Sequence, residues 1–454
     1  MRRILDRIDL TPLAPPRRLP WWGIALGVAV LTWIQMVRRP TDPPAWDSLY
    51  VEDGQVFLAQ AVDQHAWDTL ATSHLGYLHT AARAITEVAT WFPLERAPLV
   101  MALLTSLTVA LLAAYVFEAS GAWIASPLLR GVLAVALVLI PVTARDINAT
   151  VANLHWYLIY ASYWAVVNPW RSRGWLALSA GLVLVATLTD PLAAVLLPLG
   201  IVLALRERGG GRAAWVVPGA IVLGLLVQLV LRDEGAERVG GVDAGAVPRI
   251  FAERVTSSLL AGDQHLFDLF GGRTGSPFAW ASLVLVATAV AVGVWRLRGR
   301  RRHVLMAGAA FSVAYFLIPV ISRGTELLVP EMPWSLGASR YMYLPVMFLL
   351  TGLVAAVDRA DPAAAGRARR HSPLREIALA LLVMATIALD LRAPHRTEGD
   401  PRWGPALEQA ERACAAGRPV GPVTLIGAPG DRTAIVPTHR LAHWYVPIEC
   451  RRLG

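Results

Sequence analysis

Ten long apolar runs, almost free of charged residues in their middles, limit what this chain can fold into more than any other feature. They cover residues 21–37, 97–117, 131–144, 154–167, 175–205, 213–231, 278–295, 304–321, 341–357 and 377–391. Of its 454 residues, 55% are hydrophobic and 17% charged, which favours a polytopic membrane protein over a soluble one. Because about 20 apolar residues cross a bilayer as a helix, each run predicts at least one spanning helix.

The run at residues 175–205 is long for one spanning helix and short for two. Asp190-Pro191 lies at its middle, and the residue before a proline is disfavoured in a helix. The flanking loops at 168–174 and 206–209 both carry arginine, so the positive-inside rule places both in the cytoplasm. We therefore expect a hairpin that turns at Asp190, which gives about eleven spans.

The predicted fold is an all-α polytopic membrane protein with a cytoplasmic N-terminus and an extracytoplasmic C-terminus. Residues 1–390 form its transmembrane domain, in which residues 38–96 are the first extracytoplasmic loop. Residues 391–454 form a small α/β extracytoplasmic tail. The two cysteines of the chain, Cys414 and Cys450, both fall in this tail and are a candidate disulfide, since disulfides persist outside the cytoplasm.

All 42 basic residues are arginine, and they lie mostly in short loops rather than in one patch. The net charge of +9 therefore reflects the positive-inside rule and gives no indication of a nucleic-acid partner. A chain without lysine is typical of a GC-rich genome. We expect a multi-pass protein of a bacterial plasma membrane.

The first outer loop contains an adjacent pair of acids, Glu52 and Asp53, between aromatic residues. Adjacent carboxylates repel each other, which favours a cation, a hydrogen-bond network or a chemical role. In a catalytic role, one would accept a proton from an attacking hydroxyl while the other orients it or binds a metal or sugar. Alternatively, Asp53 caps a helix that starts near Gly54 and Glu52 is solvated. Asp47 fits a solvated turn.

The same loop contains a segment, residues 77–92, with apolar residues at helical spacing. His79, Arg83 and Glu87 recur every four residues on another face. This pattern predicts an amphipathic helix in the headgroup layer, with an interfacial polar face as the simpler role for His79 and Arg83. Residues 247–260 show a second, weaker pattern of this kind.

Two further polar stretches lie at the outer ends of spans. Residues 145–157 include Arg145, Asn153 and His155, which can bind a phosphate or sugar, or which simply begin a helix above interfacial aromatics. Arg340, followed by Tyr341, is placed to bind a lipid phosphate through paired hydrogen bonds. The alternative for Arg340 is snorkelling to headgroups.

Ionisable residues are nearly absent from the middles of the spans, where Gln228 is the most obvious polar residue. Transport pathways usually need polar groups or broken helices near the bilayer midplane. The distribution of charge therefore favours a site at the outer interface. Asp190, at the predicted turn, is more typical of a turn residue than of a catalyst.

Taken together, these features resemble the GT-C superfamily of membrane glycosyltransferases, which use sugars linked to polyprenyl phosphate. The likeness is carried by Glu52-Asp53, by the segment at residues 76–93 and by Arg340-Tyr341 with Leu344-Pro345. It is one of layout across most of the chain, with short motifs, and it specifies no particular family, donor or acceptor.

The resemblance implies inverting transfer of a sugar from a polyprenyl-phosphate donor to a glycan, lipid or protein acceptor. Asp53, or Glu52 in its place, would deprotonate the acceptor, and Arg340 would stabilise the departing phosphate with help from His155 or Arg83. Further candidates for donor binding or catalysis are Tyr341, Asn153, His79, Asp190 and Arg145. The motif is Glu-Asp and not Asp-Asp or Asp-X-Asp, so the resemblance implies no particular cofactor and leaves a divalent cation open.

Two other classes of function remain open from the sequence. A polymerase or ligase of lipid-linked glycans would depend on Arg340 and His155 and not on the acidic pair. A non-enzymatic flippase or transporter would need a polar route through the helices.

Overall fold

A computed structural model describes residue 13 and residues 20–38, 42–144, 146–169, 172–206, 211–232, 241–263, 277–328, 339–358, 373–391, 393, 395, 397–428, 431–438 and 444–453. Helices dominate these residues. In the first half of the chain they are α1 (Trp21–Val37), α2 (Ala59–Asp63), α3 (Ala66–Ala71), α4 (Thr80–Ala89), α5 (Ala97–Ala119), α6 (Pro127–Leu139), α7 (Leu154–Val167), α8 (Arg173–Thr189), α9 (Leu197–Arg206) and α10 (Val216–Leu231).

The second half continues with helices and adds a small sheet. Its helices are α11 (Val247–Phe251), α12 (Ser257–Ala261), α13 (Pro277–Arg296), α14 (Gly299–Arg323), α15 (Tyr343–Val357), α16 (Leu374–Leu389) and α17 (Trp403–Ala416). The strands are β1 (Thr424–Ile426), β2 (Thr433–Pro437) and β3 (Tyr445–Glu449). Short 3₁₀ turns lie at Ala45–Asp47, Leu94–Arg96, Ser120–Ala122, Pro141–Thr143, Pro191–Leu196, Gly211–Trp215, Glu326–Leu328 and Cys450–Arg452. Two π-helical segments are Asp53–Leu58 and Ala252–Thr256.

Within the described residues, five helical stretches are long and apolar enough to cross a membrane. They are Leu94–Ala122, Gly211–Leu231, Pro277–Arg296, Gly299–Arg323 and Ser339–Val357. Shorter apolar helices run over Trp21–Val37, Pro127–Thr143, Arg173–Thr189 and Pro191–Arg206. A membrane protein is therefore indicated, whereas the number of about eleven spans stays a prediction.

The outward faces of these helices are apolar, as a lipid environment requires. Leu226, Leu229 and Val230 are exposed on α10, and Val284 and Leu285 are exposed on α13. The centre of the bundle is α7, in which every residue is buried. Because α7 is buried along its whole length, the polar groups at its ends are positioned by the surrounding protein and not by lipid.

The long run at 175–205 divides where the sequence predicts. Helix α8 ends at Thr189, and Asp190 Oδ1 accepts a hydrogen bond from the Leu192 backbone N–H at 2.8 Å. The chain then continues through a 3₁₀ turn into α9. This carboxylate therefore caps the second segment, as expected for a polar residue before proline.

Helices α14 and α15 approach each other closely because glycines face each other between them. A Cβ atom added at Gly308 would lie 2.6 Å from the Phe348 carbonyl oxygen and 2.7 Å from the Gly352 nitrogen. Small residues at such a contact are typical of helix pairs in membranes. The pairing fixes the C-terminal end of α14 beside the N-terminal end of α15, where Arg323 and Arg340 lie.

The tail forms a cap in which α17 packs against an antiparallel sheet of order β1-β2-β3. Ala434 in β2 pairs with Leu425 in β1 and with Ile448 in β3. The disulfide between Cys414 and Cys450 links α17 to the residue after β3. The sequence predicts a bond between these same two cysteines.

The cap packs directly on the first outer loop. Gly54 faces Val446 so closely that an added Cβ atom would lie 3.1 Å from its methyl group. The indole of Trp403 donates a hydrogen bond to the Leu94 carbonyl at 2.9 Å. Asp47 lies half-buried in a 3₁₀ turn, and its Oδ1 atom accepts a hydrogen bond from the Gly404 N–H in the first turn of α17, so its carboxylate contacts the cap as well as solvent.

The predicted amphipathic segment of the first loop contains α4, but its polar face is turned inward. Arg83 is fully buried, and its guanidinium donates to the Leu78 carbonyl and to Gln60 Oε1 at 2.8 and 2.7 Å. Ala84, on the opposite side, is exposed. Residues 247–260 behave similarly, because Arg254 is buried and donates to Ser339 Oγ. In both segments, the arginine donates to acceptors inside the protein.

Candidate functional site

A cavity of about 360 Å³ lies where several helices begin or end. His155 is in the first turn of α7, Asp190 follows α8, Arg323 ends α14 and Arg340 precedes α15. The first outer loop closes another side. The lining residues are Glu52, Phe57, His74, Leu75, Gly76, Tyr77, His79, Ala152, Asn153, His155, Trp156, Asp190, Pro191, Leu192, Tyr315, Ile318, Pro319, Ser322, Arg323, Arg340 and Tyr341.

This cavity brings together most of the candidate site residues that the sequence suggests. Those that line it are Glu52, His79, Asn153, His155, Asp190, Arg340 and Tyr341. Asp53 and Arg83 do not line it. Arg145 lies outside the described residues.

Arg340 is the cation at the centre of this arrangement. Its Nη1 atom donates a hydrogen bond to the Tyr50 hydroxyl at 3.1 Å and lies 3.8 Å from Glu52 Oε1. Its guanidinium also lies over the Tyr341 ring, 5.3 Å from the centroid. Because Nη1 makes both of these polar contacts, the other guanidinium nitrogen atoms make no hydrogen bond or ion pair with a described residue and can donate to a ligand within the cavity.

Glu52 provides the carboxylate that faces Arg340. Its side chain is 17% exposed, and within the described residues its Oε2 atom has no hydrogen-bond partner. One oxygen thus lies near the arginine, and the other is buried without a hydrogen-bond partner among the described residues. This is the geometry that a general base needs, provided that an acceptor hydroxyl enters the cavity.

Asp53 has a different environment although it is the next residue. It is 4% exposed, and its two oxygens accept hydrogen bonds from the backbone N–H groups of Val151 and Ala152, at 3.2 and 2.9 Å. Its carboxylate therefore ties the first outer loop to the segment that precedes α7. Asp53 also begins the π-helical segment, a structure often found at functional sites. Of the two adjacent acids, Glu52 lines the cavity and Asp53 does not.

His155 and Asp190 form a second polar pair on the cavity wall. The Nδ1 atom of His155 lies 2.9 Å from the Ala152 carbonyl, and its Nε2 atom lies 3.7 Å from Asp190 Oδ2. The bond to the carbonyl favours a proton on Nδ1, which leaves Nε2 facing the carboxyl group. Asn153 donates to the Asp146 carbonyl and to Thr150 Oγ1, so its amide mainly fixes the loop before α7.

His79 lies beside this pair, in a cluster with His74, Tyr77 and His155. Its ring centroid is 3.9 Å from that of Tyr77 and 6.2 Å from that of His155. Burial, with the nearby His155, His74 and Arg83, lowers the pKa of His79 well below its usual value. Burial also lowers the pKa of His74, which Glu52 partly offsets. Both rings are therefore neutral at physiological pH.

The turn that presents these rings has a strained backbone. Leu75 and His79 adopt left-handed conformations with φ of 54° and 55°, a region that non-glycine residues seldom occupy. His74 and Tyr77 are bridged by backbone hydrogen bonds across the turn. Such strain is concentrated at functional sites in many proteins.

Sequence reasoning assigned no individual role to four lining residues: His74, Tyr77, Tyr315 and Arg323. Arg323 ends α14 and makes no hydrogen bond or ion pair with any described residue, so it is a second cation available in the cavity. The sequence contains a signal for Arg323. It closely follows the apolar run at 304–321, just as Arg340 directly precedes the run at 341–357. His74-Leu75-Gly76-Tyr77 likewise has the composition of a tight turn.

Among the described residues, no group of three or more His, Cys, Asp or Glu side chains is arranged to hold a metal ion. The polar groups of the cavity are instead cations, neutral imidazoles and two separate carboxyl groups. This set is suited to an anion and a polyhydroxylated group.

Comparison with known proteins does not assign the chain to a family, since no protein-family model and no curated protein matches it. The cavity is therefore interpreted from its own chemistry.

Proposed function

We propose that this protein is a membrane glycosyltransferase, similar in layout to the GT-C superfamily, that uses a polyprenyl-phosphate sugar. The observation that carries the proposal is the placement of the Glu52 carboxylate and the Arg340 guanidinium, 3.8 Å apart, in one cavity at the ends of apolar helices. A base and an anion-binding cation are the two groups that such a transfer requires.

In the proposed reaction, Glu52 accepts the proton of an acceptor hydroxyl. The hydroxyl oxygen forms a bond to the anomeric carbon while the bond from that carbon to the phosphate oxygen breaks, and the electron pair leaves with the phosphate. Arg340 and Arg323 stabilise the charge that develops on this group. Attack opposite the leaving group inverts the anomeric configuration.

The donor would reach the cavity from the bilayer, with its polyprenyl chain along the apolar helix faces and its phosphate at the helix ends. The finer topology belongs to this proposal: about eleven spans, a cytoplasmic N-terminus and a cavity and cap on the extracytoplasmic side of a plasma membrane. Its support is the arginine content of the loops at the other ends of the helices, including Arg298, Arg300, Arg301 and Arg302.

A transporter is less well supported. The cavity is formed at helix ends, and the one polar residue noted within a span, Gln228, uses its amide for hydrogen bonds to the Thr187 and Leu188 carbonyls and the Leu78 N–H. A glycan polymerase or ligase would use Arg340 and His155, which share the cavity, without a carboxylate base. The role of Glu52 separates this alternative from the proposal.

The test is transfer by purified protein in nanodiscs, with radiolabelled hexosyl and pentosyl polyprenyl phosphates and an envelope extract that supplies acceptors. Release of polyprenyl phosphate and labelling of product are both measured. We expect Glu52→Gln to abolish transfer and to leave donor binding intact. Full transfer by a folded Glu52→Gln variant would contradict the proposed base and favour the ligase.

A further inference from the structure

His79 is the most unusual polar group in the cavity wall. The residue is 4% exposed, and within the described part of the chain neither ring nitrogen has a partner at hydrogen-bond geometry. The backbone of His74 lies near the ring and favours a proton on it, although not within the geometry of a hydrogen bond. A buried polar group without partners destabilises the fold, so such a group calls for a ligand or another explanation.

The surrounding chain holds the ring in this position rather than allowing it to escape. The left-handed backbone at His79 starts α4, and the ring lies among those of Tyr77, Phe57 and His74, at centroid distances of 3.9, 5.3 and 5.8 Å. Strain and close ring contacts together keep two unpaired nitrogens at the wall of an accessible cavity.

The protonation state of the ring limits what it can bind. Burial keeps the imidazole neutral, so it offers one N–H donor and one lone pair. A phosphate group would use the donor and leave the lone pair facing negative charge. A hydroxyl group can both donate and accept a hydrogen bond. One or two sugar hydroxyls can therefore pair with the N–H and with the lone pair of the ring.

We propose that His79 is the sugar-recognising residue of this cavity and binds hydroxyl groups of a neutral sugar on the donor. The inference rests on the proposed function and narrows it. Arg340 and Arg323 would hold the phosphate, and His79, beside Tyr77 and Phe57, would distinguish the glycosylated donor from the bare lipid phosphate. An anionic sugar such as a uronic acid would gain less from this site.

The experiment compares two probes with protein in nanodiscs: a polyprenyl monophosphate and the same lipid carrying a neutral hexose. His79→Phe keeps a ring in the cluster and removes both nitrogens, whereas His79→Gln keeps a donor and an acceptor. His65→Phe is a matched control on an exposed histidine. Thermal unfolding checks that each variant is folded.

We expect wild type to bind the hexosyl lipid more tightly than the monophosphate, and His79→Phe to lose about tenfold of hexosyl-lipid affinity, or about 1.4 kcal/mol. Monophosphate binding should stay within about twofold, and His79→Gln should recover part of the difference. Equal loss for both probes, or no loss in folded His79→Phe, would overturn the inference alone. If wild type bound neither probe, both the proposed function and this inference would fall.

Discussion

The carboxylates near the two ends of α15 differ in the groups that they bind. Beyond its C-terminal end, Asp358 accepts hydrogen bonds from the backbone N–H groups of Ala125 and Ser126 at the start of α6, and Glu376 accepts one from the Ser126 hydroxyl. Beyond its N-terminal end, Glu52 lies 3.8 Å from Arg340 in the cavity lining and holds no backbone group among the described residues. Carboxylates that fix helices are structural, whereas one that lines a cavity and fixes no helix is a candidate for chemistry.

By this criterion, Asp53 belongs with Asp358 and not with its neighbour Glu52. Both aspartates accept two consecutive backbone N–H groups of a segment that leads into a helix. Their partners therefore indicate a common structural role, although Asp53 is adjacent to the proposed base. The following predictions separate the two groups of carboxylates.

The largest expected effect is on the rate of transfer by Glu52→Gln. Removal of a general base typically lowers a rate by about 10²–10⁴-fold, and we expect about 10³-fold here. The melting temperature should change little, because among the described residues Glu52 makes a single ion pair, at 3.8 Å, and no hydrogen bond. Single-turnover release of polyprenyl phosphate measures the rate. If Glu52→Gln lost activity only in proportion to its loss of folded protein, Glu52 would have a structural role like that of Asp53, and the prediction would be wrong.

Asp53→Asn and Asp358→Asn should both reduce stability rather than chemistry. Asparagine retains one acceptor oxygen, so one buried backbone N–H loses its partner at a cost of about 1–3 kcal/mol. Thermal or chemical unfolding in nanodiscs measures this loss, with Glu52→Gln as the matched control. If Asp53→Asn kept wild-type stability and lost transfer, Asp53 would be the base.

A smaller effect is expected in the dependence of stability on pH. Burial lowers the pKa of His79 in the folded chain, whereas in the unfolded chain it titrates near 6.5. The unfolded state therefore binds an additional proton below pH 6.5, and stability falls as pH drops, by at most about 1.4 kcal/mol per pH unit for this group.

Melting temperatures of wild type and His79→Phe between pH 7.5 and 5 test this dependence. The variant should lose less stability on acidification than wild type, while His74 leaves some dependence in both. If the melting temperatures of the two proteins fell equally with pH, the pKa of His79 would be the same in the folded and unfolded states, and the prediction would be wrong.

The sequence predicts the helices well because apolar runs and their breaks are local signals. The limits of α1 and α7 match the predicted runs, and Asp190-Pro191 divides the longest run as expected. The gathering of Glu52, His155 and Arg340 was also predictable, since charges excluded from apolar spans must collect at their ends.

Side-chain direction within the first outer loop was not predictable in this way. The π-helical segment from Asp53 changes the angle between successive residues, so adjacency in sequence does not show which acid faces the cavity. Arg83 turns inward because Leu78 and Gln60 supply acceptors, which a helical pattern does not reveal. Asp47 finds its partner at Gly404, more than 350 residues away.

The most direct test of the central claim, that Arg340 is the centre of a lipid-phosphate site, is binding of polyprenyl monophosphate to protein in nanodiscs. Wild type is compared with Arg340→Ala and with Arg296→Ala, which removes an exposed arginine at the end of α13. We predict that Arg340→Ala weakens binding at least tenfold and that Arg296→Ala binds like wild type. Equal binding by all three folded proteins would contradict the account.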